Sequence, residues 1–210
     1  MVGAGSDSAS GCQDRRVNHA DDRALPPGQR PAAGWPVLHY GPVPHDRGQR
    51  WDLRVTGATE DGLEHVLDTA QFAALPRTDV QGDLHCVTRW SVPDNRWSGV
   101  AARTLIDLFP PAPGADYVMV WAEYGYSANL RLEDLASPRT VLATHHDGEP
   151  LTPEHGWPVR LVVPHLYAYK GPKWLRGVEY LTEPGRGFWE QRGYHASGDA
   201  WREERWSYQE

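Results

Sequence analysis

The chain has 210 residues, of which 40% are hydrophobic and 10% aromatic, and its formal net charge is -7. This length can bury one sizeable core or two small ones. The negative charge and the absence of a basic stripe from the sequence argue against a nucleic-acid partner, because phosphate binding needs clustered Lys and Arg. No apolar run approaches the roughly 18 residues that a membrane-spanning helix requires, so no membrane span is predicted.

The cysteine and aromatic content indicates the kind of core and the cellular compartment to expect. Ten Trp and nine Tyr stand against three Phe, and because Trp and Tyr each carry a polar group, this balance indicates a core with polar edges around a pocket. Cys12 and Cys86 lie in regions of different character and do not predict a disulfide. Since no apolar signal segment accompanies Arg15 and Arg16, we expect a cytoplasmic protein whose thiols stay reduced.

The first part of the chain divides into a leader and a domain. Residues 1–30 are rich in Gly, Ser, Asp, Arg and Pro and lack apolar periodicity, which predicts a disordered leader before a domain at 31–210. Three prolines in residues 35–44 predict an extended arm that crosses a surface or lines a pocket.

The rest of the chain reads as short strands with two or three short helices. A helix is predicted at 64–74, a turn at 93–99, a second helix at 100–109, and a loop at 124–130 followed by a helical turn at 132–135. The predicted strands are 51–57, 78–87, 117–122, 141–144, 159–164 and 175–182. This order has no regular βαβ repeat and predicts an α+β domain with mixed β-sheets.

The residues themselves leave several kinds of site open. Cys86 lies at or just after the end of a predicted strand, where it is either a buried thiol or a nucleophile with His165 or His195 as its base. No ligand spacing typical of zinc is present. Arg160 and Lys173 flank the strand at 159–164, where such groups either bind a phosphate or form a solvated rim.

Three motifs taken together resemble one family. Residues 86–91 (CVTRWS), 155–164 (HGWPVRLVVP) and 169–174 (YKGPKW) are similar to the molybdopterin-binding domain of the sulfite oxidase family, and the similarity runs in order from about residue 35 to residue 206. The first motif is closest to the branch that contains the methionine sulfoxide reductase catalytic subunit.

The resemblance implies a molybdenum-molybdopterin cofactor with a single pyranopterin and with Cys86 as the protein ligand of the metal. It implies oxygen-atom transfer to or from a small sulfur or nitrogen oxide compound, with electrons exchanged with a separate protein such as a flavin or iron–sulfur reductase. Tyr194 matches the family tyrosine that faces the oxo groups of the metal. The matching cofactor-binding positions are Leu38, His39, Tyr40, Ala122, His155, Arg160, Gly171, Pro172 and Lys173.

The chain also departs from the family pattern. Leu38 stands where sulfite oxidases carry an Arg that binds the substrate anion, which disfavours sulfite as the substrate. The chain is too short to add a haem domain or an Ig-like dimerisation domain, so a monomer is expected. Two other functions remain open: a non-catalytic protein that binds a pterin or a phosphorylated ligand, and a cysteine hydrolase.

Overall fold

The computed structural model describes residues 24–44 and 51–210. The α-helices in these ranges are α1 (Thr69–Ala73), α2 (Ala102–Leu108) and α3 (Leu132–Leu135). The β-strands are β1 (Arg30–Pro31), β2 (Asp52–Gly57), β3 (His65–Asp68), β4 (Arg77–Gln81), β5 (Leu84–Cys86), β6 (Trp90–Val92), β7 (Arg96–Ala101), β8 (Tyr117–Ala122), β9 (Ser127–Arg131), β10 (Val141–His146), β11 (Glu149–Pro150), β12 (Arg160–Val162) and β13 (Leu175–Leu181).

The strands form three sheets. One five-stranded sheet has the order β3-β2-β13-β8-β9, in which only the β2 and β13 neighbours run parallel. A second sheet has the order β11-β10-β7-β4, with β12 also paired to β10, and all its pairs are antiparallel. A small sheet joins β1, β6 and β5. These mixed sheets with few, short helices confirm the predicted α+β class.

The main core forms where the two large sheets and the helices meet. It joins Leu53 of β2 and Val178 of β13 with Val100 of β7 and Leu142 of β10, all almost fully buried. Burying one such side chain stabilises the fold by roughly 1.5–3 kcal/mol before the entropy cost of ordering it. Because side chains alternate along each strand, burial of these apolar residues fixes which face of each sheet points inwards.

The second sheet is buried on both faces. Val141 and Ala143 point away from the main core and join Trp97 and Val162 in a second apolar cluster, whereas their neighbour Leu142 belongs to the first. On β12, Arg160 and Val162 share the second side, because side chains two residues apart point to the same face. The fold thus places a guanidinium group beside the indole of Trp97, 5.6 Å from the ring centroid.

Three local predictions were wrong, each where a strand replaces another structure. The predicted helix 64–74 begins as β3, which pairs with β2, and becomes helical only at α1, where Asp68 and Gln71 form a capping box. Residues 96–99 of the predicted turn belong to β7, and residues 127–130 of the predicted loop belong to β9. In each case the partner strand supplies hydrogen bonds that local turn and helix signals do not reveal.

Residues 1–23 of the predicted disordered leader, which spans residues 1–30, lie outside the described residues. For residues 24–30 the prediction differs from the structure. The Gln29 side chain donates a hydrogen bond to the Cys86 carbonyl at 3.0 Å, and β1 pairs with β6 in parallel. These contacts with a distant part of the chain order a segment whose own sequence has no apolar pattern.

A buried ion pair anchors the loop of the YKGPKW motif. The Lys170 ammonium donates to the Glu190 carboxylate at 2.6 Å, to the Asn129 side chain at 2.9 Å and to the Ala196 carbonyl at 2.6 Å, and both charged side chains are fully buried. All three donors of the ammonium are therefore satisfied. None of the helices in the described part of the chain is long and apolar enough to cross a membrane.

We predict that Glu190→Ala lowers the free energy of unfolding by about 3–5 kcal/mol, because it leaves a buried ammonium without a counterion. Urea unfolding measures the change. The matched control is Asp107→Ala, which removes an exposed i,i+4 pair with Arg103 and should cost less than about 0.5 kcal/mol. Equal losses in the two variants would contradict a special role for the buried pair.

If Glu190→Ala does not fold, a double replacement keeps this prediction testable. Lys170→Met with Glu190→Met removes both charges together and should retain more stability than either single change. A double variant that is less stable than both single variants would contradict the assignment of the cost to an unpaired charge.

Candidate active site

Cys86 ends β5 and begins a tight turn. The turn is closed by a hydrogen bond from the Arg89 amide to the Cys86 carbonyl at 3.1 Å, and Arg89 adopts a positive φ of 75°. The thiol is free and half-buried, and its sulfur lies 3.1 Å from the Thr88 hydroxyl. The turn therefore presents a reduced sulfur at the end of a strand, as the sequence predicts.

The sulfur faces a cavity of about 330 Å³, which is within the size range of small-molecule sites. Its walls come from the arm, the Cys86 turn, the YKGPKW loop and the C-terminal region. The lining residues are Trp35, Pro36, Leu38, His39, Tyr40, Leu84, Cys86, Val87, Thr88, Trp90, Tyr126, Arg160, Ala168, Tyr169, Gly171, Pro172, Lys173, Trp174, Trp189 and Tyr194.

The extended arm forms one wall of the cavity through aromatic contacts. Trp35 stacks on His155 with ring centroids 3.8 Å apart, and Tyr40 packs on Phe188 at 4.2 Å. Leu38, between these two contacts, is 53% exposed. The prolines keep the arm out of regular structure, and the aromatic contacts hold both of its ends against the domain.

Two cationic side chains enter the cavity from neighbouring loops. The Arg160 guanidinium donates to the His155 carbonyl at 3.0 Å, and the Lys173 ammonium donates to the Glu154 carbonyl at 2.6 Å. Both acceptors are neutral backbone groups. Within residues 24–44 and 51–210, neither cation forms a salt bridge, so their charge is available to an anionic ligand.

Burial sets the protonation of this pair. It lowers the pKa of Arg160 to about 10, and it lowers the pKa of Lys173 to about 7 with a further contribution from the charge of Arg160. At neutral pH Arg160 is charged and Lys173 is close to half protonated. A bound anion would favour the protonated form of Lys173, because an opposite charge stabilises the charged state of a neighbouring group.

Two buried polar atoms, one in the cavity wall and one behind it, lack a hydrogen-bond partner in the described structure. They are Nε of Arg160 and Nε2 of His155. Such groups are costly to leave unpaired. Close packing at Gly156 and Gly171 brings their two loops together. A Cβ added at Gly156 would lie 2.9 Å from the Arg160 Cβ, and a Cβ added at Gly171 would lie 2.5 Å from the Leu161 carbonyl oxygen. The residues therefore fit a polar anionic ligand such as a phosphate.

Most of the predicted site residues meet at this cavity, and two do not line it. His155 lies behind Trp35 and contributes its carbonyl to Arg160. Ala122 ends β8 opposite Leu175. The predicted residues that line the cavity are Leu38, His39, Tyr40, Cys86, Arg160, Gly171, Pro172, Lys173 and Tyr194.

Sequence reasoning missed several aromatic walls. Tyr126 donates a hydrogen bond to the Tyr169 carbonyl at 2.6 Å, and Trp189 packs edge-on against Tyr194 at 5.4 Å. Burial, followed by the charge of Cys86, raises the pKa of Tyr194, so this phenol keeps its proton at neutral pH. Thr88 also lines the cavity. Its place inside the CVTRWS motif is the sequence signal that could have identified it as a site residue.

The structure does not support a cysteine hydrolase. His165 contacts Asp134 at 2.7 Å, and His195 accepts hydrogen bonds from the amides of Ser197 and Gly198. Neither imidazole lines the cavity that Cys86 faces. In the described ranges no three His, Cys, Asp or Glu residues cluster as a metal site, so a metal at Cys86 would take its other ligands from a non-protein group.

The fold defines the class of protein. It matches the crystal structure of the sulfane dehydrogenase SoxCD from Paracoccus pantotrophus with a TM-score of 0.65 over 80% of this chain and 48% of that chain, at 18% identity. This likeness establishes a sulfite oxidase-type molybdopterin-binding fold, as the sequence predicts.

Residues 40–189 match the family model described as the oxidoreductase molybdopterin binding domain, and the chain belongs to this family. It is 42% identical to the uncharacterized oxidoreductase YuiH of Bacillus subtilis over 88% of this chain and 92% of that protein. It is 28% identical to the protein-methionine-sulfoxide reductase catalytic subunit MsrP of Campylobacter jejuni, over 68% of this chain and 52% of that protein. The chain thus spans nearly all of the first relative and about half of the second.

The lowered pKa of Lys173 predicts that the stability of the protein without a bound anion depends on pH. The pKa of this lysine falls from 10.5 to about 7 on folding. Between these values the unfolded chain binds a proton that the folded chain does not, so the free energy of unfolding rises with pH, by at most about 1.4 kcal/mol per pH unit. Urea unfolding from pH 7 to pH 10 should show this rise in the parent protein and a weaker one in Lys173→Met. Identical pH profiles would contradict the prediction.

Proposed function

We propose that this oxidoreductase catalyses oxygen-atom transfer to or from a small, uncharged sulfur or nitrogen oxide compound at a molybdenum-molybdopterin cofactor. One observation carries the proposal: a single cavity holds the Cys86 thiol together with two cations, Arg160 and Lys173, that donate to backbone carbonyl groups and form no salt bridge among the described residues. A thiolate is a suitable ligand for a transition metal, and paired cations suit a phosphate.

We propose that the cavity binds one pterin. Arg160 and Lys173 would hold its phosphate, with Gly171 and Pro172 beside them, and Cys86 would be the protein ligand of the metal. One cation pair and one thiol fit a single pyranopterin. When bound, the metal centre supplies two-electron oxygen-atom transfer, and the protein supplies binding, orientation and electrostatics.

Tyr194 and the aromatic walls shape the reacting end of the cavity. Because the pKa of Tyr194 is raised, its hydroxyl stays protonated and can donate a hydrogen bond to a substrate oxygen beside Cys86. Trp189 packs against Tyr194 and holds its ring in place. The ring faces also exclude water from the space where the substrate would bind.

The arm favours an uncharged substrate. Leu38 lines the cavity and supplies no charge, and the cations Arg160 and Lys173 are assigned to the cofactor. The name of the relative MsrP refers to protein methionine sulfoxide, which is an uncharged oxide. We therefore propose uncharged sulfoxides or N-oxides as the first compounds to screen.

The electron partner is proposed to be a separate protein, such as a flavin or iron–sulfur reductase, because the residues of the cavity include no second redox group. We propose that the domain acts as a monomer. The cytoplasmic location stays a prediction.

Replacing the sulfur tests the central assignment. Cys86→Ser should stay folded and lose turnover by more than the roughly 10–100-fold that removal of an outer-shell partner costs, with loss of the thiolate-to-molybdenum absorption band. Cys12→Ser is the matched control and should keep both the turnover and the absorption band. Elemental analysis measures the molybdenum content of the parent protein and of each variant. Full turnover in molybdenum-loaded Cys86→Ser would overturn the proposal.

The arm position tests substrate charge. Leu38→Arg should raise kcat/KM for sulfite about fivefold, because one charge at 4 Å in a solvated site contributes about 1 kcal/mol, and added salt should reduce the gain. Activity on an uncharged sulfoxide should not rise. Leu38→Met is the uncharged control, and an equal gain for sulfite in that variant would contradict a charge effect.

A further inference from the structure

The Thr88 hydroxyl contacts the sulfur of Cys86 directly. The two atoms lie 3.1 Å apart, and either one can be the donor while the sulfur is a thiol. A metal-ligating cysteine is deprotonated, and a thiolate sulfur can only accept. In the metal-bound form the hydroxyl must therefore donate to the sulfur for this contact to remain a hydrogen bond.

The position of Thr88 is set by the main chain. The Arg89 amide closes the turn onto the Cys86 carbonyl at 3.1 Å, and the same carbonyl accepts from the Gln29 side chain at 3.0 Å. The Arg30 amide also donates to the Arg89 carbonyl at 3.2 Å. The turn is thus held from inside and by β1, which fixes the main chain of Thr88 next to Cys86.

The contact is exposed in the described structure, and it lies at the cavity wall. Val87, Trp90 and Trp189 line the same cavity as Thr88, so a ligand seated there would cover the hydroxyl and the sulfur together. Once covered in this way, the hydrogen bond would be electrostatically stronger than in water.

We propose that Thr88 is a positioning residue that tunes the metal through the Cys86 sulfur. The inference rests on the proposed function, since it needs a metal at Cys86. Hydrogen bonds to a ligating sulfur are known to set the reduction potential of metal centres. By drawing electron density from the sulfur, the hydroxyl makes the metal easier to reduce and lowers the energy of the sulfur electrons that give the thiolate-to-metal absorption band.

Two variants separate the hydroxyl from the shape of the side chain. Thr88→Val keeps the branched shape and removes the donor, whereas Thr88→Ser keeps the donor and removes a methyl group. In molybdenum-loaded protein, Thr88→Val should shift the absorption band to longer wavelength and the midpoint potential to a more negative value. Thr88→Ser should keep both close to the parent, which is a rescue that a purely structural role would not show.

The outcomes distinguish this inference from the proposed function. Metal content is measured first by elemental analysis, and the absence of molybdenum from all three folded proteins would overturn the proposed function and this inference with it. Full molybdenum with an unchanged band and potential in Thr88→Val would overturn the inference alone. Equal shifts in Thr88→Val and Thr88→Ser would also overturn it, because they would follow the methyl group and not the hydroxyl.

Discussion

The site depends on two cations, the buried Arg160 and the half-buried Lys173, that form no salt bridge among the described residues. Arg160 and Lys173 donate to backbone carbonyl groups, and no described carboxylate forms a salt bridge with either. Burying charge is costly, and burial lowers the pKa of both groups. Lys170, three residues before Lys173, has a different arrangement, since it forms a buried ion pair with Glu190. One loop thus contains a lysine that is paired inside the fold and another that lines the cavity without a salt bridge among the described residues.

The same cavity also presents a soft metal ligand, the sulfur of Cys86. Cys86 is presented by a closed turn whose carbonyl is held by Gln29, and Tyr194 lines the cavity with its proton retained. An aromatic arm closes the side of the cavity. A group with a phosphate at one end and a metal at the other would meet complementary chemistry at both, and this agrees with the molybdopterin-binding family to which the chain belongs.

Much of the fold follows from local patterns, and the exceptions share one cause. Short apolar segments of the sequence correctly predicted β2, β8 and β13. β3, β7 and β9 were missed, because their own residues also suit helices, turns or loops. What makes them strands is the neighbouring strand, which supplies hydrogen bonds and a buried face from elsewhere in the chain.

For the site, the residue types can be recognised from the order of amino acids: a thiol at a strand end, two cations beside Gly and Pro, and a proline-rich arm. Which of these groups share a cavity follows from the packing of distant segments. This packing brought Cys86, Arg160 and Lys173 together, left Ala122 outside, and added Tyr126, whose role depends on packing with distant segments. Burial and charge neutralisation are properties of the folded surroundings, and no local pattern encodes them.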